Sequence, residues 1–210
     1  MWQSRAINWD DPDGLVAVGG DLRPETLLGA YRRGIFPWFN EGDPILWWSP
    51  DPRAVFELDQ FHASRRLLRT CRGGKFTLTV NQAFPAVMRA CGEREEGTWI
   101  THAMLAGYAE LHRLGHAHSV EAWREGELVG GVYGVAQGGL FAAESMFHRA
   151  ADAGKVALVH LVERLRERGF TLFDTQMLTP VTASLGAVEI PRAEYLRRLR
   201  AALRVPAAFV

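Results

Sequence analysis

The segment 117–145 limits the fold more than any other part of the chain. Three strand-length runs follow one another there: Ala117–Arg124, Glu127–Ala136 and Gly139–Ser145. Glu125-Gly126 and Gly138-Gly139 join them, and two-residue joints of this composition close antiparallel hairpins. A chain so patterned builds an antiparallel meander. Gly154–Arg168 comes next and reads as an amphipathic helix. Val156, Leu158, Leu161, Val162 and Leu165 recur at helical spacing on its inner face, and Gly169 stops it.

Around this centre the pattern predicts helices over Ser64–Cys71, Asn81–Cys91, Thr101–Leu114 and Glu194–Leu203. Asn81 and Thr101 are the expected N-caps of the second and third, and Gly115 closes the third. Lys75–Val80 alternates as a strand, and Thr171–Thr175 is a short buried strand. This order is an α+β layout. It matches the acyltransferase superfold, in which a splayed sheet holds an acyl donor, and a fold alone leaves the chemistry open. Residues 1–60 differ in texture: Pro, Gly and Trp punctuate them, and Arg23–Arg33 is the one helix expected, with Pro24 first and Leu27, Leu28 and Tyr31 inward. The division expected is a small N-terminal α/β domain, 1–60, packed on a GNAT-like acyltransferase domain, 61–210.

Charge enters the argument through its distribution. The 210 residues carry 24 basic and 24 acidic side chains, so a uniformly basic nucleic-acid binder is excluded. Yet Gln60–Lys75 holds Arg65, Arg66, Arg69, Arg72 and Lys75 and no acidic residue. Arg65, Arg69 and Arg72 share one helical face. That face reads either as a solvated surface or as a contact for a phosphate backbone. A second cluster, Arg192, Arg197, Arg198, Arg200 and Arg204, is diluted by Glu194 and reads as an ordinary terminal helix. Cys71 and Cys91 are too few for a disulfide framework. No apolar run reaches the roughly 18–20 residues of a membrane span, and no secretory signal is recognisable, so a cytoplasmic chain with reduced thiols is expected.

Three polar residues stand where chemistry could be done. Glu144 lies in an apolar run with Phe141, Met146 and Phe147. It either alternates out to solvent or is a carboxylate held in an apolar pocket, which is costly without partners. Asp174 and Gln176 are two apart on an extended segment and share a face. They either satisfy a turn, or the Asp orients the amide so that its oxygen accepts from an attacking amine. His112, His116 and His118 lack a zinc-site spacing, with Gly115 breaking the helix between them, and read as packed or surface residues. Trp38, Trp47 and Trp48 sit on Pro-stiffened backbone, where they serve as core or as stacking platforms. Arg149–Lys155 joins a strand to a helix start, where anions bind, but lacks the closely spaced glycines of a coenzyme A loop.

Taken in order, these segments resemble one family, the leucyl/phenylalanyl-tRNA–protein transferases. The likeness is carried by GGDL at Gly19–Leu22, YRRGIFPWF at Tyr31–Phe39, PILWWSPDPRAV at Pro44–Val55 and EEGTWI at Glu95–Ile100. It continues through Tyr108–Trp123, LVGGVYGVAQG at Leu128–Gly138, ESMF at Glu144–Phe147, Asp174–Gln176 and ASLGAVEIPR at Ala183–Arg192. The resemblance implies transfer of Leu or Phe, less readily Met, from charged tRNA to an N-terminal Lys or Arg, which marks the protein for degradation. It implies no metal, no organic cofactor, no membrane and a monomer. It also implies that Asp174 polarises Gln176, whose carbonyl draws a proton from the acceptor amine, while Glu144 positions the donor. Trp99, Tyr108, Val132, Phe141, Met146 and Leu158 would line the pocket for the Leu or Phe side chain. Tyr31 and Trp38 would stand near the terminal adenosine. Four positions depart from the family's habit: Thr175 for Cys, with its side chain expected to point away, Val132 for Met, Gly154 for Ser and Val181 for His. The competing expectations are a coenzyme A-dependent acetyltransferase on the same fold and a non-catalytic RNA-binding module.

Overall fold

The computed structural model describes residues 8–93 and 97–210. Glu95 and Glu96 of the EEGTWI segment therefore lie outside the described residues. In chain order the elements are β1 (Leu15–Val18), α1 (Pro24–Tyr31), β2 (Phe36–Pro37), β3 (Leu46–Trp48), β4 (Arg53–Phe56), α2 (Arg65–Arg72), β5 (Thr77–Val80), α3 (Phe84–Gly92) and α4 (His102–Arg113). There follow β6 (Ala117–Arg124), β7 (Glu127–Gln137), β8 (Leu140–His148), α5 (Ala153–Glu167), β9 (Leu172–Gln176), α6 (Pro180–Ser184), β10 (Ala187–Ile190) and α7 (Arg192–Ala202).

The expected meander is β6–β7–β8, antiparallel throughout. Glu125 and Gly126 both take positive φ, 56° and 83°, the backbone of a hairpin turn whose twist suits its strands. The meander is the centre of a seven-stranded sheet of order β10-β4-β9-β8-β7-β6-β5. All its pairings are antiparallel except β8 with β9. Helix α5 covers one face. Its Val156, Leu158, Leu161, Val162 and Leu165 pack with Val120, Val132, Phe141 and Phe173. Helices α3 and α4 and the N-terminal elements cover the other face, around Trp47, Phe84, Met104, Tyr108 and Tyr133.

The sequence expectations fail where local signals conflict. Asn81 does not cap α3. The helix begins at Phe84, fixed by Pro85 in its first turn, and Asn81 sits at φ 60° with its Oδ1 accepting from the Ser119 N–H. Thr101 does cap α4, accepting from the Met104 N–H at 3.2 Å. Strands β1, β2 and β3 form a separate three-stranded sheet of order β1-β3-β2. With two to four residues each, they are too short to show a period. Strand β4 lies inside the 1–60 segment, yet it pairs with β9 and β10 in the larger sheet.

Candidate active site

The sheet opens between β8 and β9. Leu140, Phe141 and Ala142 pair in parallel with Leu172, Phe173 and Asp174, and there the pairing ends. Two residues further along each strand stand Glu144 and Gln176. Their side chains bridge the opening: the Gln176 Nε2 donates to Glu144 Oε1 at 2.8 Å. One amide end is thereby fixed, and Gln176 and Glu144 both line the cavity that fills the gap. That cavity measures about 470 Å³. Its walls are largely apolar, with Phe36, Pro37, Trp38 and Trp99 among the residues on it.

Asp174 serves Gln176 differently from the sequence expectation. Gln176 takes a left-handed φ of 66°, so β9 is not extended at its end and the two side chains do not meet. Asp174 Oδ1 accepts instead from the Gln176 backbone N–H at 2.8 Å. The rest of the carboxylate is consumed by Arg53, whose Nε and Nη2 donate to Oδ1 and Oδ2 at 2.9 and 2.7 Å, and by the Tyr195 hydroxyl at 2.8 Å. The pair is sealed from water, Arg53 being 1% and Asp174 0% exposed. Asp174 thus sets the backbone conformation of Gln176, and Glu144 sets its side chain.

Glu144 is buried, and the Tyr108 hydroxyl donates to its Oε2 at 3.3 Å. Tyr108 is itself hydrogen-bonded to the Tyr31 hydroxyl. Burial pushes the Glu144 carboxyl up to about 8; the Tyr31 and Tyr108 hydroxyls and the Arg53 charge pull it down, and the Asp174 charge adds to the rise. At neutral pH this carboxyl is therefore largely protonated, a neutral acid in an apolar surround.

Of the expected pocket residues, Trp38, Trp99, Val132, Met146 and Leu158 line the cavity. Tyr31, Tyr108 and Phe141 do not. Tyr31 and Tyr108 are buried behind it as the hydroxyl partners of Glu144, so Tyr31 has no face to offer an adenosine. Phe141 packs instead among Phe170, Phe173 and Phe209. Trp38, Trp47 and Trp48 divide their work. Trp47 is core, with its indole N–H on the Gly19 carbonyl at 2.7 Å. Trp48 donates to the Trp38 carbonyl at 2.7 Å, and its ring centroid lies 5.8 Å from that of Trp38. Trp38 is left partly exposed on the cavity wall.

Residues 55–200 match the family model described as leucyl/phenylalanyl-tRNA protein transferase, and residues 20–51 match the model of its N-terminal domain. A relative of that name from Klebsiella pneumoniae (strain 342) is 56% identical over 187 residues, spanning 89% of this chain and 80% of the relative. The chain belongs to the leucyl/phenylalanyl-tRNA–protein transferase family. A second relative of the same name, from Shewanella denitrificans, is 53% identical over 190 residues, 90% of this chain and 82% of the relative. Solved structures that resemble it include L-PGS from Bacillus licheniformis, at 15% identity and TM-score 0.44 over 76% of this chain and 52% of that one. A GCN5-related N-acetyltransferase from Kribbella flavida matches at 13% identity and TM-score 0.42, over 80% and 61%.

Three of the four departures from the family's habit fall at the cavity. Val132 lines it, and Val181 is exposed at its mouth. Thr175 also lines the cavity, with its Oγ1 buried and without a hydrogen-bond partner. At Gly154 an added Cβ would lie 2.8 Å from the Phe147 carbonyl oxygen and 3.1 Å from Met146 Cγ, so the start of α5 presses on β8 in a way that a serine would not allow without a shift.

The basic residues Arg65, Arg66, Arg69, Arg72 and Lys75 are all exposed. Ser64 caps α2, accepting from the Leu67 N–H at 3.2 Å. Arg66 pairs with Asp152 at 3.3 Å; among the described residues none of the other four has an ion-pair partner. The terminal cluster differs, since Arg197 and Arg198 are paired with Glu194. His112 and His118 are also committed. His118 Nδ1 meets the Asn81 amide at 2.9 Å and its Nε2 meets the Gly115 carbonyl at 3.1 Å, while His112 Nδ1 meets the Ala117 carbonyl at 2.8 Å. With the Gly115 carbonyl accepting a hydrogen bond from Nε2–H, His118 is the Nε2–H tautomer, and burial holds its pKa down at about 4. No helix among the described residues is long and apolar enough to cross a membrane.

Proposed function

We propose that this chain transfers Leu or Phe, less readily Met, from aminoacyl-tRNA to the α-amino group of an N-terminal Lys or Arg, marking the protein for degradation. It does so as a cytoplasmic monomer, without metal or organic cofactor. The N-terminal domain, residues 1–60, supplies the aromatic wall of the site, and the domain 61–210 supplies the catalytic strands. The observation that carries this reading, in a member of this family, is the Gln176 amide pinned to Glu144 at the edge of an apolar cavity.

The amine nitrogen attacks the ester carbonyl carbon of the charged tRNA. A C–N bond forms, the bond from that carbon to the ribose oxygen breaks, and the ribose oxygen gains the proton the amine loses. The ester is already activated, so holding an unprotonated amine in line supplies much of the acceleration. Gln176 is placed to do this through its carbonyl oxygen, with Glu144 holding the amide. Asp174 acts one step back, by fixing the Gln176 backbone. Val132, Met146, Leu158 and Trp99 surround the amino-acid side chain, and Trp38 offers a face to the adenosine. Apolar contacts discriminate by about 1–3 kcal/mol per methylene, enough to prefer Leu and Phe over small residues but not to exclude Met sharply.

The test is incorporation of radiolabelled Leu from tRNA into a model protein with N-terminal Arg, with an N-terminal Met protein as control. Incorporation into the first alone supports the reading; no incorporation by the folded protein overturns it. The basic helix is the proposed contact for the tRNA backbone. Arg65→Glu with Arg69→Glu is expected to weaken tRNA binding and to flatten its dependence on log salt by about 0.7–0.9 per lost phosphate contact. Filter binding across a salt series measures this, and an unchanged slope moves the contact elsewhere.

A further inference from the structure

We propose that Arg53 and Tyr195 are positioning residues for the transfer, locking the aromatic wall of the cavity and the strand that carries Gln176 into one fixed relation. The inference rests on the reading above. The Arg53 side chain reaches both parts. Its Nε and Nη2 hold Asp174, which holds the Gln176 N–H. Its Nη1 donates to the Gly34 carbonyl at 3.0 Å, and its guanidinium lies 4.8 Å from the Phe36 ring centroid. Gly34 and Phe36 lead directly into Pro37 and Trp38 on the cavity wall.

Tyr195 closes the arrangement from α7. Its hydroxyl donates to Asp174 Oδ2, and its ring lies 4.5 Å from the Arg53 guanidinium. Gly34 lies against the same ring: a Cβ there would come within 2.8 Å of Tyr195 Cε1, at a φ of +77° that favours glycine. Four parts distant in sequence thus meet at one guanidinium. Energetics points the same way. A buried ion pair gains little stability over an apolar replacement of similar shape, because desolvation offsets the attraction. What the planar, bidentate fork does supply is fixed geometry. Neither residue lines the cavity, so neither would touch substrate.

The experiment compares Tyr195→Phe, Arg53→Lys and Gln176→Ala in steady-state transfer of Leu from charged tRNA to an Arg-initiated peptide, with melting temperatures alongside. Tyr195→Phe removes one hydrogen bond to a charged group and keeps the ring. It is expected to lower kcat about tenfold with KM for charged tRNA unchanged. Arg53→Lys keeps the charge but loses the fork and the hold on Gly34, so kcat should fall at least as far and KM for charged tRNA should rise several-fold. In an Asp174→Asn background, Tyr195→Phe should have little further effect, since both act through one carboxylate. Tyr195→Phe at wild-type kcat, with Gln176→Ala slow, overturns the positioning role and leaves the functional reading standing. So does a Tyr195→Phe effect that multiplies fully with Asp174→Asn. Gln176→Ala at wild-type rate removes Gln176 from the chemistry and with it the positioning role, and no transfer by the wild-type protein overturns the functional reading. If Arg53→Lys does not fold, the Tyr195→Phe arm decides alone.

Discussion

Gln176→Ala is expected to slow single-turnover transfer by about 100- to 1,000-fold, the range for losing a positioned group that handles the reacting proton. Affinity for charged tRNA should stay within about twofold, because the apolar wall and the basic helix are untouched. Rapid-quench measurement of the transfer rate and filter binding separate the two quantities. A rate near wild type would remove Gln176 from the chemistry. Asp174→Ala makes an instructive contrast. It would leave the Arg53 guanidinium buried without its carboxylate, a change that costs about 3–5 kcal/mol of stability. Its activity loss would therefore come with a large fall in melting temperature, whereas Gln176→Ala should melt near wild type. An Asp174→Ala protein that melts normally would show that the buried pair is not sealed as described.

Glu144→Gln is expected to change how stability varies with pH. The Glu144 carboxyl titrates near 8 in the folded chain, raised from an ordinary value of 4.5 mainly by burial. Between those two values the folded chain binds this proton and the unfolded chain does not. Its contribution to stability is therefore complete below about 4.5 and is lost progressively as pH rises to about 8. The total is on the order of a few kcal/mol. The variant has no such proton, so its melting temperature should gain on wild type steadily from pH 5 to pH 8. Its amide oxygen can still accept from Gln176 and its amide N–H can meet Tyr108, so transfer should persist within about tenfold. Melting curves across that range decide the matter. Parallel pH dependences in the two proteins would place Glu144 in a wetter setting than the buried contacts imply.

The long periodic elements were legible in the sequence. The meander and α5 declare themselves through repeated apolar spacing and two-residue glycine turns, and Thr101 announces α4 by its cap. Glu144 was legible as a carboxylate out of place in an apolar run. Its partners were not, because Tyr31 and Tyr108 look the same in sequence whether they line a cavity or stand behind it. The Asp174–Gln176 geometry was misjudged for a definite reason. The rule that residues two apart share a face holds for extended backbone, and Gln176 has left that region. Arg53 carried no signal at all. It reads as the last letter of a Pro-rich turn, and what makes it central lies far away along the chain.

The separations in the Arg53 cluster have a bearing on when the site comes into being. Asp174 lies 121 residues beyond Arg53, and Tyr195 lies 142 beyond it. As the chain leaves the ribosome, the basic helix and the aromatic segment are both exposed long before either of those partners has been made. Until then Arg53 is solvated, and nothing ties Trp38 to the strand that will carry Gln176. Contacts of such long range also form late, since closing a long loop must precede any gain from the contact. A nascent or truncated chain ending before Tyr195 could carry the parts that meet tRNA without the geometry to transfer from it. Activity would then require the chain through Tyr195, whatever earlier segments already bind.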